Sequence, residues 1–231
     1  MRAIKKLLRL ILLIIIIVSA VIISGGYGKY KQAIGQMPID DVAQTIKNAD
    51  DFTPIDEISD TFIKAMVSVE DRRFYKHKGI DIIGIGRAIK TNIENRKLSE
   101  GGSCITQQLA KNMYFMHDNS LSRKVAEVMI AVNLEKKYSK SEILELYFNV
   151  IYYGSGYYSV GEATKGYFGK KPSELTAYEA TLLAGIPNAP SVYSLDNNPA
   201  LAKKRQKTVV NAMVDMKYLT QEEAQEILSE K

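Results

Sequence analysis

Glu70 and Asp71 form an acidic pair inside a run of cations and aromatics, SVEDRRFYKHKGID from Ser68 to Asp81. A carboxylate set there can serve as a general base, because partial burial raises its pKa toward the range where proton abstraction works at neutral pH. Arg72, Arg73, Lys76 and Lys78 offer charge to hold a polyanionic substrate. The plainer reading is a solvated, mixed-charge helix end. Two further runs sharpen the choice: GGSCITQQLAKN from Gly101 to Asn112, and RKVAE from Arg123 to Glu127. Transfer of a sugar from a pyrophosphate leaving group needs a base for the attacking hydroxyl, cationic or donor groups for the departing diphosphate, and a groove for a polymeric acceptor. Glu70 is the candidate base, and Lys111, Arg123 and Lys124 are candidate diphosphate contacts. Gly101, Gly102 and Ser103 can present backbone N–H groups to an anion at a helix N-terminus. Each has a bland alternative: a Gly pair often marks a flexible loop, and Arg123 with Glu127 at i+4 also describes a helix-surface ion pair of little energetic value. Composition alone does not choose between them.

The elements that must position these groups are mostly helical. Ile58, Phe62, Ala65, Met66 and Val69 recur at helical spacing, so a helix from about Glu57 delivers Glu70 at its C-terminal end. Beyond Gly79, Ile82, Ile83, Ile85, Ala88, Ile89 and Ile93 make a second helical stripe. Ser103 is a candidate cap for a third helix, on which Gln107, Gln108, Lys111 and Asn112 form a polar flank while Ile105 and Leu109 face inwards. A long helix follows from about Leu121 to Tyr138 and carries Glu127. Ser139 with Glu142, Thr176 with Glu179 and Thr220 with Glu223 fit the capping box, and Asn198 before Pro199 marks another helix start. The tyrosine-glycine segment from Ile151 to Gly161 reads as an irregular loop, because Gly154 and Gly156 break any regular period.

Ahead of all this, LILLIIIIVSAVII from Leu10 to Ile23 is unbroken by charge and is preceded by Arg2, Lys5, Lys6 and Arg9. With its uncharged flanks it reaches about 20 residues, enough to cross a bilayer as a helix. The basic flank predicts a cytoplasmic N-terminus and an extracytoplasmic domain. A cleaved signal peptide is the competing reading, and an uncleaved anchor is preferred because the Ile-rich core has no A-x-A-like site. The chain thus divides into a basic tip and anchor (residues 1–28), a polar juxtamembrane connector (residues 29–53) with room for a short helix, and one domain (residues 54–231).

The 231 residues, 46% of them hydrophobic, suffice for one sizeable domain plus a membrane element. A net charge of +5 suits anionic lipid, pyrophosphate or nucleic acid equally. Cys104 is the only cysteine, so no intramolecular disulfide can form. The two histidines, His77 and His117, have no cysteine or histidine partner at metal-ligand spacing. A nucleic-acid role is disfavoured, since basic groups alternate with acids and no such motif occurs.

The segments EDRRFYKHKGID, GGSCITQQLAKN, RKVAE and SKSEILELYFNVIYYGSGYYSVGEATKGYFGK, in that order, closely resemble the family 51 peptidoglycan glycosyltransferases, which include the N-terminal half of bifunctional class A penicillin-binding proteins. The likeness runs from about Pro54 to about Pro199. It implies an all-α, lysozyme-like glycosyltransferase domain behind one N-terminal transmembrane helix. With the chain stopping at Lys231, it further implies the monofunctional, membrane-anchored type. The implied substrates are lipid II and the nascent glycan strand, joined by β-1,4 linkage with inversion and release of undecaprenyl diphosphate. Glu70 matches the catalytic base of the E-D-x-x-F motif, with Asp71, Arg72, Phe74 and His77 around it. Gly102, Ser103, Thr106, Gln107, Gln108, Lys111 and Asn112 match the second motif, and Arg123, Lys124 and Glu127 match R-K-x-x-E. The resemblance leaves room for Mg2+ or Mn2+ at Glu127 and for other cell-wall synthesis proteins as partners, without requiring either.

Two positions depart from the family's pattern: Cys104 stands where relatives carry Thr, and Asn119 falls where relatives often carry a cation at the diphosphate. The rival readings are a lysozyme-like glycan-cleaving enzyme, which would also use one glutamate on a helical scaffold, and a catalytically silent membrane-tethered scaffold for wall assembly.

Overall fold

The computed structural model describes residues 2–95 and 101–230, and among them every regular element is a helix. α1 (Arg2–Gln36) begins in the basic tip and runs through the apolar stretch without a break. It does not end near Gly28: the expected connector is the outer part of this helix, followed by α2 (Ile39–Lys47), which Pro38 starts. Pro38 lacks the N–H that would continue α1 and sits where a helix start tolerates it.

α3 (Asp60–Glu70) is fixed by Phe62, Ala65 and Met66, all fully buried. Side chains of the size of Phe62 and Met66 each contribute about 1.5–3 kcal/mol when buried. That burial makes the C-terminus of α3, where Glu70 sits, a rigid mount. The packing partners are α9 (Ala177–Ala184) and α11 (Pro199–Asp215), with Phe62 meeting Phe148 edge to face at 5.2 Å.

α5 (Ile105–Tyr114) and α6 (Leu121–Lys137) lie side by side behind the cleft. α7 (Lys140–Phe148) packs on α5 and completes the core with Ile143, Leu144, Tyr147 and Phe148. α8 (Val160–Phe168), the short α10 (Pro190–Tyr193) and α12 (Gln221–Ser229) close the rest. The capping boxes at Ser139, Thr176 and Thr220 all form with their glutamates, whereas Asn198 occupies an N-cap without a side-chain bond.

Two expectations change on contact with the fold. Ser103 does not cap α5. The N-cap is Cys104, and the first helical N–H, of Ile105, is taken by Asp71 Oδ2 at 3.1 Å. The second correction concerns α4 (Ile82–Asn95), where the apolar stripe forms a helix but is not core: Ile82, Ile83, Ile89 and Ile93 are exposed, and of the stripe only Ala88 is buried. Periodicity reports a helix with one apolar face. It does not report what covers that face.

The segment after α7 is a loop, as expected. Gly154, Ser155 and Gly156 follow one another at φ of 82°, 53° and 90°. This left-handed backbone costs glycine little, and a Cβ on Gly154 would also meet the Pro190 carbonyl at 2.9 Å.

Candidate active site

The C-terminus of α3, one flank of α5 through Gln108, Lys111 and Asn112, the N-terminal turns of α6, and α11 open onto one cleft of about 850 Å³. Six cations line it, Arg72, Arg87, Lys111, Arg123, Lys124 and Arg205, against two carboxylates, Glu70 and Glu127. A wall of that sign is suited to a substrate bearing several negative charges.

Among the described residues, one hydrogen bond holds the Glu70 side chain. Tyr147, fully buried, donates its hydroxyl to Gln108 Oε1 at 3.0 Å, which turns the Gln108 amide so that Nε2 donates to Glu70 Oε2 at 2.8 Å. Burial drives the Tyr147 pKa well above its usual value, so the phenol stays a donor. Glu70 Oε1 is enclosed and has no protein partner. Desolvation raises the Glu70 pKa, with Asp71 adding to the rise and the Gln108 bond and Arg205 opposing it. Glu70 as a whole is half-buried, but its Oε1 is out of contact with solvent. A desolvated carboxylate with one free oxygen is the arrangement a general base requires.

Across the cleft, Glu127 is 1% exposed and sits between two cations. Lys124 Nζ donates to Glu127 Oε2 at 2.8 Å and to Ser103 Oγ at 2.7 Å. Arg123 Nη1 lies 2.9 Å from Glu127 Oε1, but its N–H is not aligned on that oxygen, so the contact is an ion pair and not a hydrogen bond. Arg123 Nε, Arg123 Nη1 and Glu127 Oε1 therefore keep unspent hydrogen-bonding capacity. The helix-surface pair considered at first is thus a buried one, joined to Ser103 on a separate element. Lys111 projects from α5, exposed and without an ion-pair partner among the described residues.

Not every expected contact reaches the cleft. Asp71, Phe74, His77, Thr106 and Gln107 are buried behind it with their side chains committed to protein partners. Gly79 N–H donates to His77 Nδ1 at 3.2 Å, so Nε2 carries the proton and donates to Asp71 Oδ2 at 2.9 Å. Gln107 Nε2 and Cys104 Sγ both donate to the Gly79 carbonyl, at 3.0 and 3.3 Å. Thr106 donates to Glu135, and Lys140 lies 4.2 Å over the Phe74 ring while bonding the His77 carbonyl. These groups tie the loop after α3 to the start of α5. Since the N-terminus of α5 already receives Asp71, it is not a free anion site. Gly102 lies against Ile85 and is not among the cleft-lining residues, while Ser103, Gln108 and Asn112 are.

Residues 38–214 match the protein family described as Transglycosylase. The chain belongs to the transglycosylase family. It is 43% identical over 185 residues to penicillin-binding protein 1F of Bacillus subtilis, covering 80% of this chain and 26% of that protein. It is 41% identical over 180 residues to penicillin-binding protein 1A of Neisseria gonorrhoeae, covering 78% and 23%. The chain therefore spans about a quarter of the length of these curated relatives. A crystal structure of penicillin-binding protein 1A from Haemophilus influenzae aligns at 32% identity over 55% of this chain and 16% of its own, with a TM-score of 0.39. The family match extends beyond both ends of the Pro54–Pro199 region read from the motifs, and takes in α2 and most of α11.

α11 also matters to the site, because it brings Arg205 into the cleft. Arg205 was not singled out in the sequence: it stands in KKRQK, a run that reads as a solvated face. Its Nε is enclosed without a partner and its charge acts on Glu70. Tyr152 and Tyr158, stacked at 4.7 Å, also line the cleft from the glycine loop.

Of the two departures, Cys104 is 3% exposed, with burial pushing its thiol up to about 11. It is packing beside the cleft. Asn119 lines a separate, shallow depression formed by residues 112–119 and not the cleft wall. Asp71, His77 and Cys104 bring ligand-type atoms within 4.8 Å of one another, a cluster that sequence spacing did not reveal. Both ring nitrogens of His77 are already bonded and the thiol keeps its proton, so the cluster is a closed hydrogen-bond network. Nor does Glu127 fit a divalent ion as placed, since Lys124 bonds one oxygen and the Arg123 guanidinium lies 2.9 Å from the other, putting cations where a metal would have to sit.

Proposed function

We propose that this chain polymerises peptidoglycan glycan strands from lipid II. Glu70 accepts the proton of the 4-hydroxyl of the acceptor's GlcNAc as that oxygen attacks the anomeric carbon of the donor's MurNAc. The carbon–oxygen bond to the diphosphate breaks with inversion, and undecaprenyl diphosphate leaves with its electron pair. Lys111, Arg123 and Lys124 stabilise the growing negative charge on the leaving group, and Glu127 orients the latter two. Asp71, Phe74, His77, Thr106 and Gln107 act as positioning residues, and Arg205 holds substrate charge near the base. The observation that carries the reading is the pairing in one cleft of a desolvated carboxylate with a free oxygen and a cation cluster that Glu127 and Ser103 hold in place.

The same reading puts residues 1–28 in the membrane as a single-pass anchor with a cytoplasmic N-terminus, and residues 54–231 outside as the glycosyltransferase domain. Residues 29–53 then form a helical strut. The apolar length of α1, unburied in the structure, and the exposed isoleucines of α4 support a membrane location. Other wall-synthesis proteins remain further partners under this proposal.

Incubating the purified chain with lipid II, with and without a chelator, tests it. A muramidase-sensitive polymer is expected in both. Fragments released from finished glycan, with no polymer from lipid II, would replace this reading with a glycan-cleaving one. Inertness towards both would leave the scaffold.

A further inference from the structure

α1 does more than cross a membrane: its outer half is packed along α6, the helix that carries the cation cluster. Gly26 and Ala33 are buried, and Ile22, Lys29 and Tyr30 are half-buried, which puts one face of α1 in the seam. The fit at Gly26 is close. A Cβ there would lie 2.4 Å from Val125 Cβ and 2.7 Å from the Ser122 carbonyl oxygen. Both neighbours belong to the first turns of α6, and one is backbone, so the clash could not be relieved by a rotamer change. Farther along, Asn133 Nδ2 donates to the Tyr30 hydroxyl at 2.8 Å, and Lys29 pairs with Asp118 just before α6. Contacts from Gly26–Val125 to Tyr30–Asn133 advance in the same direction on both helices, so the two run parallel.

The register fixes a height. Leu7 to Gly26 spans about 30 Å at 1.5 Å per residue, the thickness of a bilayer's hydrocarbon core, with Arg9 within one turn of its cytoplasmic edge. Gly25 and Gly26 therefore sit at its outer boundary. Ser122 is in contact with them, and Arg123 and Lys124 follow in the same turn. We propose that the anchor helix is a positioning element of the active site: the Gly25–Gly26 seam holds the first turn of α6, and with it Arg123, Lys124 and Glu127, at the level of the lipid headgroups. There the cations meet a polyprenyl diphosphate without its chain leaving the bilayer. Gly26 is the residue that sets the approach. This inference rests on the proposed function, since it presumes a membrane and a lipid-linked diphosphate.

Two variants of the full-length chain test it. A built Cβ on Gly25 lies 3.4 Å from Ser122 Cβ, at the short edge of what a disulfide spans. In a Cys104→Ser background, Gly25→Cys with Ser122→Cys should oxidise to an intramolecular bridge, seen as two lost thiols by mass spectrometry. The bridged protein should polymerise lipid II within about twofold of its reduced form, because the bridge preserves the seam. A pair that stays unbridged under oxidant, or a bridged form that is inactive until reduced, would overturn the inference.

The second variant, Gly26→Leu, forces the helices apart. Displacement of a substrate-gripping group by about 1 Å can cost up to about a hundredfold. A fall of about 10–100-fold in kcat/KM on detergent-dispersed lipid II is expected on that scale, carried chiefly by KM. The acid limb of the pH profile should keep its midpoint, because Glu70 sits on α3 and not on α6. A tether would show no loss in detergent, so a fully active Gly26→Leu removes the inference while leaving the function intact. If the unaltered chain makes no polymer, both fall together. Should Gly26→Leu fail to fold, the bridged pair decides.

Discussion

Replacing Glu70 by Gln changes charge at nearly constant shape, and the surroundings predict where the effect appears. Gln108 Nε2 donates to Glu70 Oε2 at 2.8 Å, and a glutamine at position 70 can keep that bond through its own carbonyl. Its amide nitrogen then takes the place of Oε1, the oxygen without a protein partner. Substrate binding should survive, with KM for lipid II little changed. Proton acceptance should not: general-base catalysis is worth about 10²–10⁴-fold, or about 3–5.5 kcal/mol of barrier. Stability should move the other way. Because burial raises the Glu70 pKa in the fold, its contribution to stability is fully present below the ordinary glutamate value of about 4.3 and is lost as pH rises through the raised value. The Gln variant does not ionise, so its thermal midpoint relative to the parent should improve as pH rises from about 4 to 8. The parent's turnover should fall on acidification through the same raised value, as Glu70 gains a proton. Turnover is read by polymer formation from labelled lipid II, and stability by thermal melts across pH. A variant that keeps more than about a tenth of parental turnover would refute Glu70 as the essential base.

The cation cluster separates into parts with different signatures. Lys111→Ala should leave stability within about 0.5 kcal/mol, since the side chain is exposed and unpaired, yet should lower turnover and weaken donor use. Normal polymerisation over a range of lipid II concentrations would remove it from the diphosphate site. Glu127→Gln strips the counter-charge from Arg123 and Lys124 in a buried setting and should cost about 1–3 kcal/mol in a denaturant midpoint as well as turnover. Unchanged values of both would reduce the cluster to a surface pair. Cys104→Thr should be tolerated, because a hydroxyl can donate to the Gly79 carbonyl in place of the thiol. In the parent that thiol should react with a bulky reagent only on unfolding, and fast labelling of the folded chain would contradict its burial.

Helix identity was legible because it depends on spacing that the chain carries locally. The α3 stripe, the three capping boxes and the glycine-broken loop each need only residues within one or two turns, and each appears where the pattern placed it. What failed was anything decided between elements. Ser103 looked like a cap because it precedes α5, but Asp71, 34 residues earlier, takes the Ile105 N–H and leaves Ser103 to Lys124. His77 and Phe74 looked like substrate contacts because they flank Glu70, yet the backbone turns there and buries both. Arg205 is 135 residues from Glu70, and no local pattern links them. The continuation of α1 past Gly28 was not legible for a different reason: polar residues there signal a change of surroundings, not the end of a helix.

The two glutamates also show why position on a helix, and not residue type, assigns the roles. Glu70 ends α3, where the negative end of the helix dipole disfavours a carboxylate, and burial acts in the same sense. Its one hydrogen bond among the described residues comes from a neutral amide, itself oriented by a neutral phenol. Glu127 lies in the second turn of α6, toward the positive end, with Arg123 and Lys124 one turn before it. An environment poor in donors keeps a proton acceptor basic, whereas one rich in cations commits a carboxylate to holding those cations. Under the proposed function, the acid–base task therefore falls to Glu70 and the electrostatic task to Glu127. The division follows from where each residue's helix starts and stops.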